Sequence, residues 1–136
     1  MHKHIIADTS CFIVLSKIEA LSLLGQVYKK ILVTEEVANE FGKSFPNQVE
    51  IKAVQGQSKQ QILEMQIDKG EASVIALALE TTGSTVILDD YKARKIAEHL
   101  GLNITGTIGV LIKAKQLGLI QSIQPLLKKI KTTDFR

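Results

Sequence analysis

The chain has 136 residues, with 45% hydrophobic residues, 23% charged residues and a formal net charge of +3, values typical of one globular domain that exclude a fibrous or disordered chain. Its apolar stretches are shorter than the ~20 residues of a membrane-spanning helix, and residues 1–8 lack the pattern of a signal peptide. Cys11 is the single cysteine, which excludes an intramolecular disulfide and favours a reducing, cytoplasmic location.

Short apolar strands alternate with helices along the chain. We predict strands over 4–8, 30–33, 49–54, 85–88 and 102–104. We predict helices over 11–18, 35–41, 59–65, 71–81, 91–100, 107–117 and 123–130, with a helical turn over 21–24. Thr34 is expected to cap its helix, and Gly25, Gly42, Gly70 and Gly118 are expected to end or interrupt helices. The alternation predicts one α/β domain over 1–136, with a central parallel sheet covered by helices on both faces.

Two aspartates follow predicted strands. Asp8 closes the first strand, and Asp89 follows the fourth. Because the carboxyl ends of neighbouring parallel strands meet at one edge of a sheet, where ligands bind in such folds, we expect both carboxylates there. Glu71 begins the long helix in the middle of the chain and Glu40 lies in the last turn of the second helix, so we expect both near the same edge.

Each of these acids also has a purely structural interpretation. Asp8 could cap the helix that follows it, and Asp89 and the adjacent Asp90 could cap the next one. Glu71 suits the positive end of a helix dipole, and Glu40 could belong to an acidic, solvated helix face. The interpretation as a site therefore depends on the joint arrangement of these acids.

A cluster of three or four carboxylates has a definite chemical requirement. Two ionised carboxylates about 4 Å apart repel each other by on the order of 4 kcal/mol at an effective dielectric constant near 20, so a cation or protons must compensate them. Ligands that are all oxygen favour Mg²⁺ or Mn²⁺. We predict no zinc site, because His2, His4 and His99 have no metal-ligand spacing with Cys11.

Five segments of the chain follow one another in a characteristic order. They cover residues 5–10 (IIADTS), 34–41 (TEEVANEF), 70–78 (GEASVIALA), 87–94 (ILDDYKAR) and 101–119, the last with the core TGTIGVL. In this order they resemble the PIN-domain ribonuclease superfamily over nearly the whole chain. The last segment resembles a prokaryotic branch that is often found as the toxin of toxin–antitoxin pairs. The resemblance implies a PIN-like three-layer α/β/α fold with a central first strand, and Mg²⁺- or Mn²⁺-dependent hydrolysis of phosphodiester bonds, usually in RNA.

The resemblance also implies roles for the acids. It assigns catalysis to Asp8, Glu40, Glu71 and Asp89, with Glu36 as an alternative to Glu40. It assigns metal binding to Asp8, Glu71, Asp89 and Asp90, since either of the two adjacent aspartates matches the fourth acid of the family. Glu71 stands where many PIN domains have an aspartate.

Polar and basic residues around the acids are expected to bind substrate. The resemblance places Thr9 and Ser10 where they could hydrogen-bond a ligand carboxylate or a metal-bound water. Lys92 and Arg94 are candidates for contacts with the RNA backbone, although an ordinary solvated helix face accounts for either of them. Thr107 could cap its helix and leave amide groups facing a phosphate. Basic residues are concentrated beyond Lys92, which suits a polyanionic partner.

The resemblance implies an RNA substrate, a small antitoxin protein as partner, and a homo-oligomer in the form of a dimer. In the branch that the chain resembles, a further segment commonly follows residues 134–136, so we expect the last helix to be absent or to come from a dimer partner. A PIN-like module that binds nucleic acid or antitoxin without catalysis is the alternative. A receiver domain is disfavoured because the first strand ends in one aspartate and not in an acidic pair. A dinucleotide-binding fold is disfavoured because the turn over 8–12 contains no glycine.

Overall fold

The computed structural model describes residues 4–133. Its strands are all parallel: β1 (His4–Ala7), β2 (Ile31–Val33), β3 (Val49–Ile51), β4 (Ser84–Ile87) and β5 (Asn103–Thr105). Their order in the sheet is β3-β2-β1-β4-β5, so β1 is central and β4 lies beside it. Helices cover the sheet in a three-layer α/β/α arrangement, which confirms the predicted fold class.

Eight helices lie in the described part of the chain: α1 (Thr9–Lys17), α2 (Leu21–Val27), α3 (Glu35–Phe41), α4 (Gln57–Leu63), α5 (Lys69–Leu79), α6 (Tyr91–His99), α7 (Thr107–Gln116) and α8 (Gln124–Lys131). Thr34 caps α3 as predicted, by accepting a hydrogen bond from the Val37 amide at 3.1 Å. None of the helices within residues 4–133 is both long enough and apolar enough to cross a membrane.

The centre of the sheet is buried on both faces. Ile6, Ile31 and Val86 are completely covered, as expected for parallel strands between two layers of helices. Helix α5 is buried along residues 72–78 and packs against α3, α4 and β4, because its Ala, Val, Ile and Leu side chains leave few polar positions. This central helix carries Glu71 in its first turn.

Three phenylalanine rings attach α3 to α1. The Phe12 ring lies 5.5 Å from the Phe41 ring and 4.8 Å from the Phe45 ring, measured between centroids, and the Phe41 and Phe45 rings stack at 5.2 Å. Such rings combine a large buried apolar area with favourable ring contacts. Because Phe41 directly follows Glu40, this packing places the last turn of α3 beside the first turn of α1, which begins at Thr9.

Two glycines that we expected to end or interrupt helices lie inside them instead. Gly25 lies within α2, and Gly70 is the second residue of α5. A Cβ atom on Gly25 would lie 2.3 Å from Oε1 of Gln48, and a Cβ atom on Gly70 would lie 2.0 Å from Oε1 of Glu40. At both positions the end of a neighbouring side chain takes up the space that a Cβ atom would fill. Gly42, in contrast, ends α3 as predicted, in the left-handed conformation with φ +62°.

Candidate functional site

The carboxyl ends of β1 and β4 meet at one edge of the sheet. Ala7 pairs with Ile87 in the parallel register, and the ladder continues with a hydrogen bond from the Asp8 amide to the Ile87 carbonyl at 3.0 Å. Asp89 follows two residues after the end of β4. Asp8 and Asp89 therefore follow adjacent strands, at the edge where parallel sheets bind ligands.

Asp8 is a buried carboxylate that does not cap a helix. The residue is 5% exposed, and although it occupies the N-cap position of α1, its side chain makes no capping hydrogen bond. Burial raises the pKa of Asp8 to about 7; a backbone hydrogen bond at Thr9 opposes this rise, and the charges of Glu71, Asp68 and Glu40 add to it. We refer to Asp8, Glu40, Asp68 and Glu71 as the acidic cluster.

Glu71 and Asp68 form a capping box at the start of α5. The Glu71 amide donates to Oδ1 of Asp68 at 2.8 Å, and the Asp68 amide donates to Oε1 of Glu71 at 3.3 Å. Burial, followed by the charges of Asp68, Asp90 and Glu40, raises the pKa of Glu71 to about 7. Glu71 thus stabilises its helix and also contributes charge to the acidic cluster. The sequence prediction missed Asp68, although an acid three positions before Glu71 is a signature of a capping box.

Glu40 reaches the acidic cluster from the last turn of α3. The Thr9 hydroxyl donates to Oε1 of Glu40 at 2.7 Å, a contact between residues 31 positions apart. Glu36, the alternative to Glu40, accepts a hydrogen bond from Nε2 of Gln60 at 2.7 Å and therefore faces α4. The structure thus places Glu40, and not Glu36, at the edge occupied by Asp8.

Asp89 is held by donors from α1 and α7. Thr107 donates through its amide to Oδ1 at 2.8 Å and through its hydroxyl to Oδ2 at 2.5 Å, and the Ser10 hydroxyl donates to Oδ2 at 3.1 Å. Thr107 is the first residue of α7 and Gly106 takes the N-cap position, so the expectation that Thr107 caps its helix is wrong. The Asp89 carboxylate satisfies the first amide of α7 instead, at a helix end that favours an anion.

Asp90 and the basic residues of α6 lie next to Asp89 in the chain. Asp90 caps α6 by accepting a hydrogen bond from an amide in its first turn at 3.0 Å, so its capping interpretation is confirmed. Nη1 of Arg94 donates to the carbonyl of Leu88 at 2.8 Å, which braces the main chain directly before Asp89. Lys92 is exposed on the same helix.

A cavity of about 440 Å³ opens beside Asp89 and Arg94. The rest of its lining consists of Ile104, Thr105, Gly106, Ile108 and Gly109. Because a carboxylate, a guanidinium group and apolar side chains meet in this cavity, it suits a molecule with both polar and apolar parts.

The chemistry of this edge fits a hard divalent cation. Its donors are carboxylate and hydroxyl oxygens, which Mg²⁺ and Mn²⁺ prefer, and neighbouring negative charges contribute to the raised pKa values of Asp8 and Glu71. Within residues 4–133, no three His, Cys, Asp or Glu side chains form a ready-made metal cage. Such a cage is not required, because Mg²⁺ usually takes one or two carboxylates and completes its shell with water and phosphate oxygens.

Comparison with known families agrees with this geometry. A family model described as a PIN domain matches residues 4–136, while a comparison with curated proteins gives no match. PIN domains are generally nucleases that act on nucleic acid and depend on divalent metal ions. The match covers nearly the full length of the chain, which therefore belongs to the PIN-domain family.

Proposed function

We propose that this chain is a metal-dependent endoribonuclease that hydrolyses phosphodiester bonds at the edge formed by β1 and β4. The observation that carries the proposal is the Asp8 carboxylate, which is buried, caps no helix and lies among the charges of Glu40, Asp68 and Glu71. A buried charge that no cation compensates is costly to a fold. Perturbed carboxylates of this kind are concentrated at functional sites.

Three carboxylates are the expected metal ligands: Asp8, Glu71 and Asp89. Asp90, which follows Asp89 and caps α6, is a further candidate ligand. A bound Mg²⁺ or Mn²⁺ would lower the pKa of a water molecule and offset negative charge on the phosphate. Ser10 and Thr107 keep the Asp89 carboxylate in one orientation through their hydrogen bonds. A carboxylate that is already oriented does not have to be ordered when a ligand binds.

Glu40 is proposed to have a different role from these metal ligands. It is exposed to solvent, and Thr9 holds its Oε1 atom. We propose that this carboxylate accepts a hydrogen bond from a water molecule at the edge of the acidic cluster and acts as a base toward it. Thr9 is then the residue that orients the base, and the substrate-binding role proposed for Thr9 is indirect.

The basic side chains of α6 are proposed to hold the RNA backbone. Lys92 is exposed and its ammonium group can reach a phosphate as a flexible point charge. Arg94 donates one hydrogen bond to the Leu88 carbonyl and lines the cavity beside Asp89. Arg94 is therefore proposed to position the chain that carries Asp89 as well as to contact phosphate.

The direct test is cleavage of labelled RNA. Purified protein is incubated with single-stranded and structured RNA, and with single-stranded DNA, in the presence of Mn²⁺, Mg²⁺ or EDTA. We expect cleavage of RNA with Mn²⁺ or Mg²⁺, loss of cleavage with EDTA, and a loss of at least a hundredfold for Asp8→Asn. Glu98→Gln is the matched control, because Glu98 is an exposed acid of α6 outside the acidic cluster. RNA that stays intact with both metals would overturn the assignment.

The biological setting is proposed from the resemblance of residues 101–119 to toxins of toxin–antitoxin pairs. In that setting the chain is cytoplasmic, forms a dimer and is silenced by a small antitoxin protein. Light scattering of the purified protein measures whether it forms a dimer. Co-expression with the product of an adjacent small gene tests whether an antitoxin silences it. A monomer whose nuclease activity no neighbouring gene product suppresses would contradict this setting.

One observation favours a second candidate function. Since no three potential ligands form a metal cage within the described residues, the domain could bind nucleic acid or an antitoxin without cleaving RNA. In that case labelled RNA would be retained by the protein equally well with Mn²⁺ and with EDTA, and Asp8→Asn would leave its retention unchanged.

A further inference from the structure

Gly70 lies at a helical position where glycine does not stabilise the helix. It is the second residue of α5, and its backbone is helical. Glycine is among the least favourable residues within a helix. The left-handed conformation that usually calls for glycine is found at other positions, such as Gly42 and Gly101. The reason for glycine at position 70 must therefore lie in what surrounds it.

Glu40 occupies the space that a side chain at position 70 would fill. A Cβ atom on Gly70 would lie 2.0 Å from Oε1 and 2.9 Å from Cδ of Glu40, which is too close for non-bonded atoms. The same Oε1 atom accepts the hydrogen bond from the Thr9 hydroxyl at 2.7 Å. The Glu40 carboxylate is thus lodged between the first turn of α1 and the first turn of α5.

We propose that Gly70 is a positioning residue, whose missing side chain admits the Glu40 carboxylate to the acidic cluster. This inference rests on the proposed function, because it treats that cluster as part of a metal-dependent site. A methyl group at position 70 would displace the end of an exposed, flexible side chain and not the backbone of α5. Gly70→Ala therefore removes Glu40 from the site while its charge is still present in the protein.

The contact itself is tested in the metal-free protein. Urea unfolding is measured for the wild type, Thr9→Val, Gly70→Ala and the double variant. If Glu40 can reach Thr9 only when residue 70 has no side chain, Gly70→Ala already breaks the hydrogen bond from Thr9 to Glu40. Thr9→Val should then lower the free energy of unfolding less in the Gly70→Ala background than in the wild type. Non-additive changes in the free energy of unfolding support the inference, and additive changes overturn it.

The consequence for the site is tested by Mn²⁺ binding, measured by isothermal titration calorimetry. We expect Gly70→Ala and Glu40→Gln each to weaken Mn²⁺ affinity by about tenfold, as is typical when a group that supports metal ligands is removed. The variant that combines Gly70→Ala with Glu40→Gln should bind Mn²⁺ no more weakly than Glu40→Gln alone. Gly70→Ala should also raise the Mn²⁺ concentration needed for half-maximal RNA cleavage, and because it displaces the proposed base, the rate at saturating Mn²⁺ should stay below that of the wild type.

Gly25→Ala is the matched control. Gly25 is also a glycine within a helix, and an added Cβ would likewise press on the end of a flexible side chain, that of Gln48, at 2.3 Å. Since Gln48 lies outside the acidic cluster, Mn²⁺ affinity should stay unchanged in Gly25→Ala. A loss of Mn²⁺ affinity in Gly25→Ala equal to that in Gly70→Ala would overturn the inference, because any added methyl group would then have the same effect.

The outcomes separate this inference from the proposed function. Wild-type Mn²⁺ affinity in Gly70→Ala, beside weakened affinity in Glu40→Gln, would overturn the role of Gly70 and leave the nuclease assignment standing. A wild-type protein that binds no Mn²⁺ would overturn the nuclease assignment. The unfolding measurements on Thr9 and Gly70 would then decide the positioning role without any metal.

Discussion

The Asp89 carboxylate closes the N-terminus of α7 by accepting both the amide and the hydroxyl hydrogen of Thr107, at 2.8 and 2.5 Å. Since Asp89 follows β4 and Thr107 follows β5, this contact ties two neighbouring strand ends together. Asp89 therefore stabilises the fold in addition to its proposed role in metal binding. Asp8, at the next strand end, has the opposite effect on the metal-free fold, because it is a buried carboxylate with a raised pKa.

Thr107→Val should destabilise the fold. Valine keeps the shape of the buried side chain but removes the hydroxyl donor to Asp89, so we expect the free energy of unfolding to fall by about 1–2 kcal/mol. Urea unfolding measures the change, with Thr82→Val as a control in an exposed loop. Equal stability of the Thr107 variant and the wild type would show that this hydrogen bond contributes nothing.

Asp8→Asn should stabilise the metal-free protein at pH 8. The substitution removes a buried negative charge and its repulsion from Glu71, and we expect a gain on the order of 2 kcal/mol. The same variant should lose the rise in melting temperature that Mn²⁺ produces in the wild type by binding only the folded state. Thermal unfolding with Mn²⁺ and with EDTA measures both effects. A metal-free variant less stable than the wild type would contradict the prediction.

The stability of the metal-free protein should fall as the pH rises from about 4 to about 7. Folding raises the pKa of Asp8 and of Glu71 to about 7, whereas both groups titrate near pH 4 in the unfolded chain. The folded state therefore holds more protons between these values, and the free energy of unfolding decreases as they are released. Above about pH 8 the dependence should level off.

Urea unfolding in EDTA between pH 4 and pH 8 measures this dependence. Asp8→Asn serves as the reference, because its smaller decrease isolates the contribution of Asp8 from that of all other titrating groups. Saturating Mn²⁺ should remove most of the decrease in the wild type, since a cation compensates the same charges. A wild-type protein whose stability rises over this range would refute the pKa assignment.

Lys92→Gln should weaken RNA binding without affecting the fold. Lys92 is exposed on α6, so its loss should leave the free energy of unfolding unchanged. If it contacts one phosphate of a single strand, the slope of log affinity against log salt concentration should decrease by about 0.7. Fluorescence anisotropy with labelled single-stranded RNA at several salt concentrations measures the slope, with Lys17→Gln on α1 as the control. Identical slopes for the two variants would exclude Lys92 as a phosphate contact.

The positions of Asp8 and Asp89 are the part of the site that the sequence predicts well. Both follow short apolar runs, and the carboxyl ends of adjacent parallel strands must share an edge. The central place of β1 is implied by the resemblance to PIN domains, whereas the alternation of strands and helices itself predicts the parallel α/β sheet. These features depend on periodicity and burial, which local residue patterns express directly.

The choice of Glu40 over Glu36, and the presence of Gly70 inside α5, are decided by tertiary structure alone. Glu36 and Glu40 lie on the same short helix, and the packing of α3 on α1, through Phe41 and Phe12, accompanies the contact of Glu40 with Thr9. Gly70 looks like a helix breaker in the sequence, and only the folded structure shows that the Glu40 carboxylate lies against it. Local propensity describes how a helix forms, but it carries no information about which side chain a distant helix will place beside it. The sequence by itself therefore determined the sheet and its two aspartates, and the docking of α1, α3 and α5 decided how the remaining acids join them.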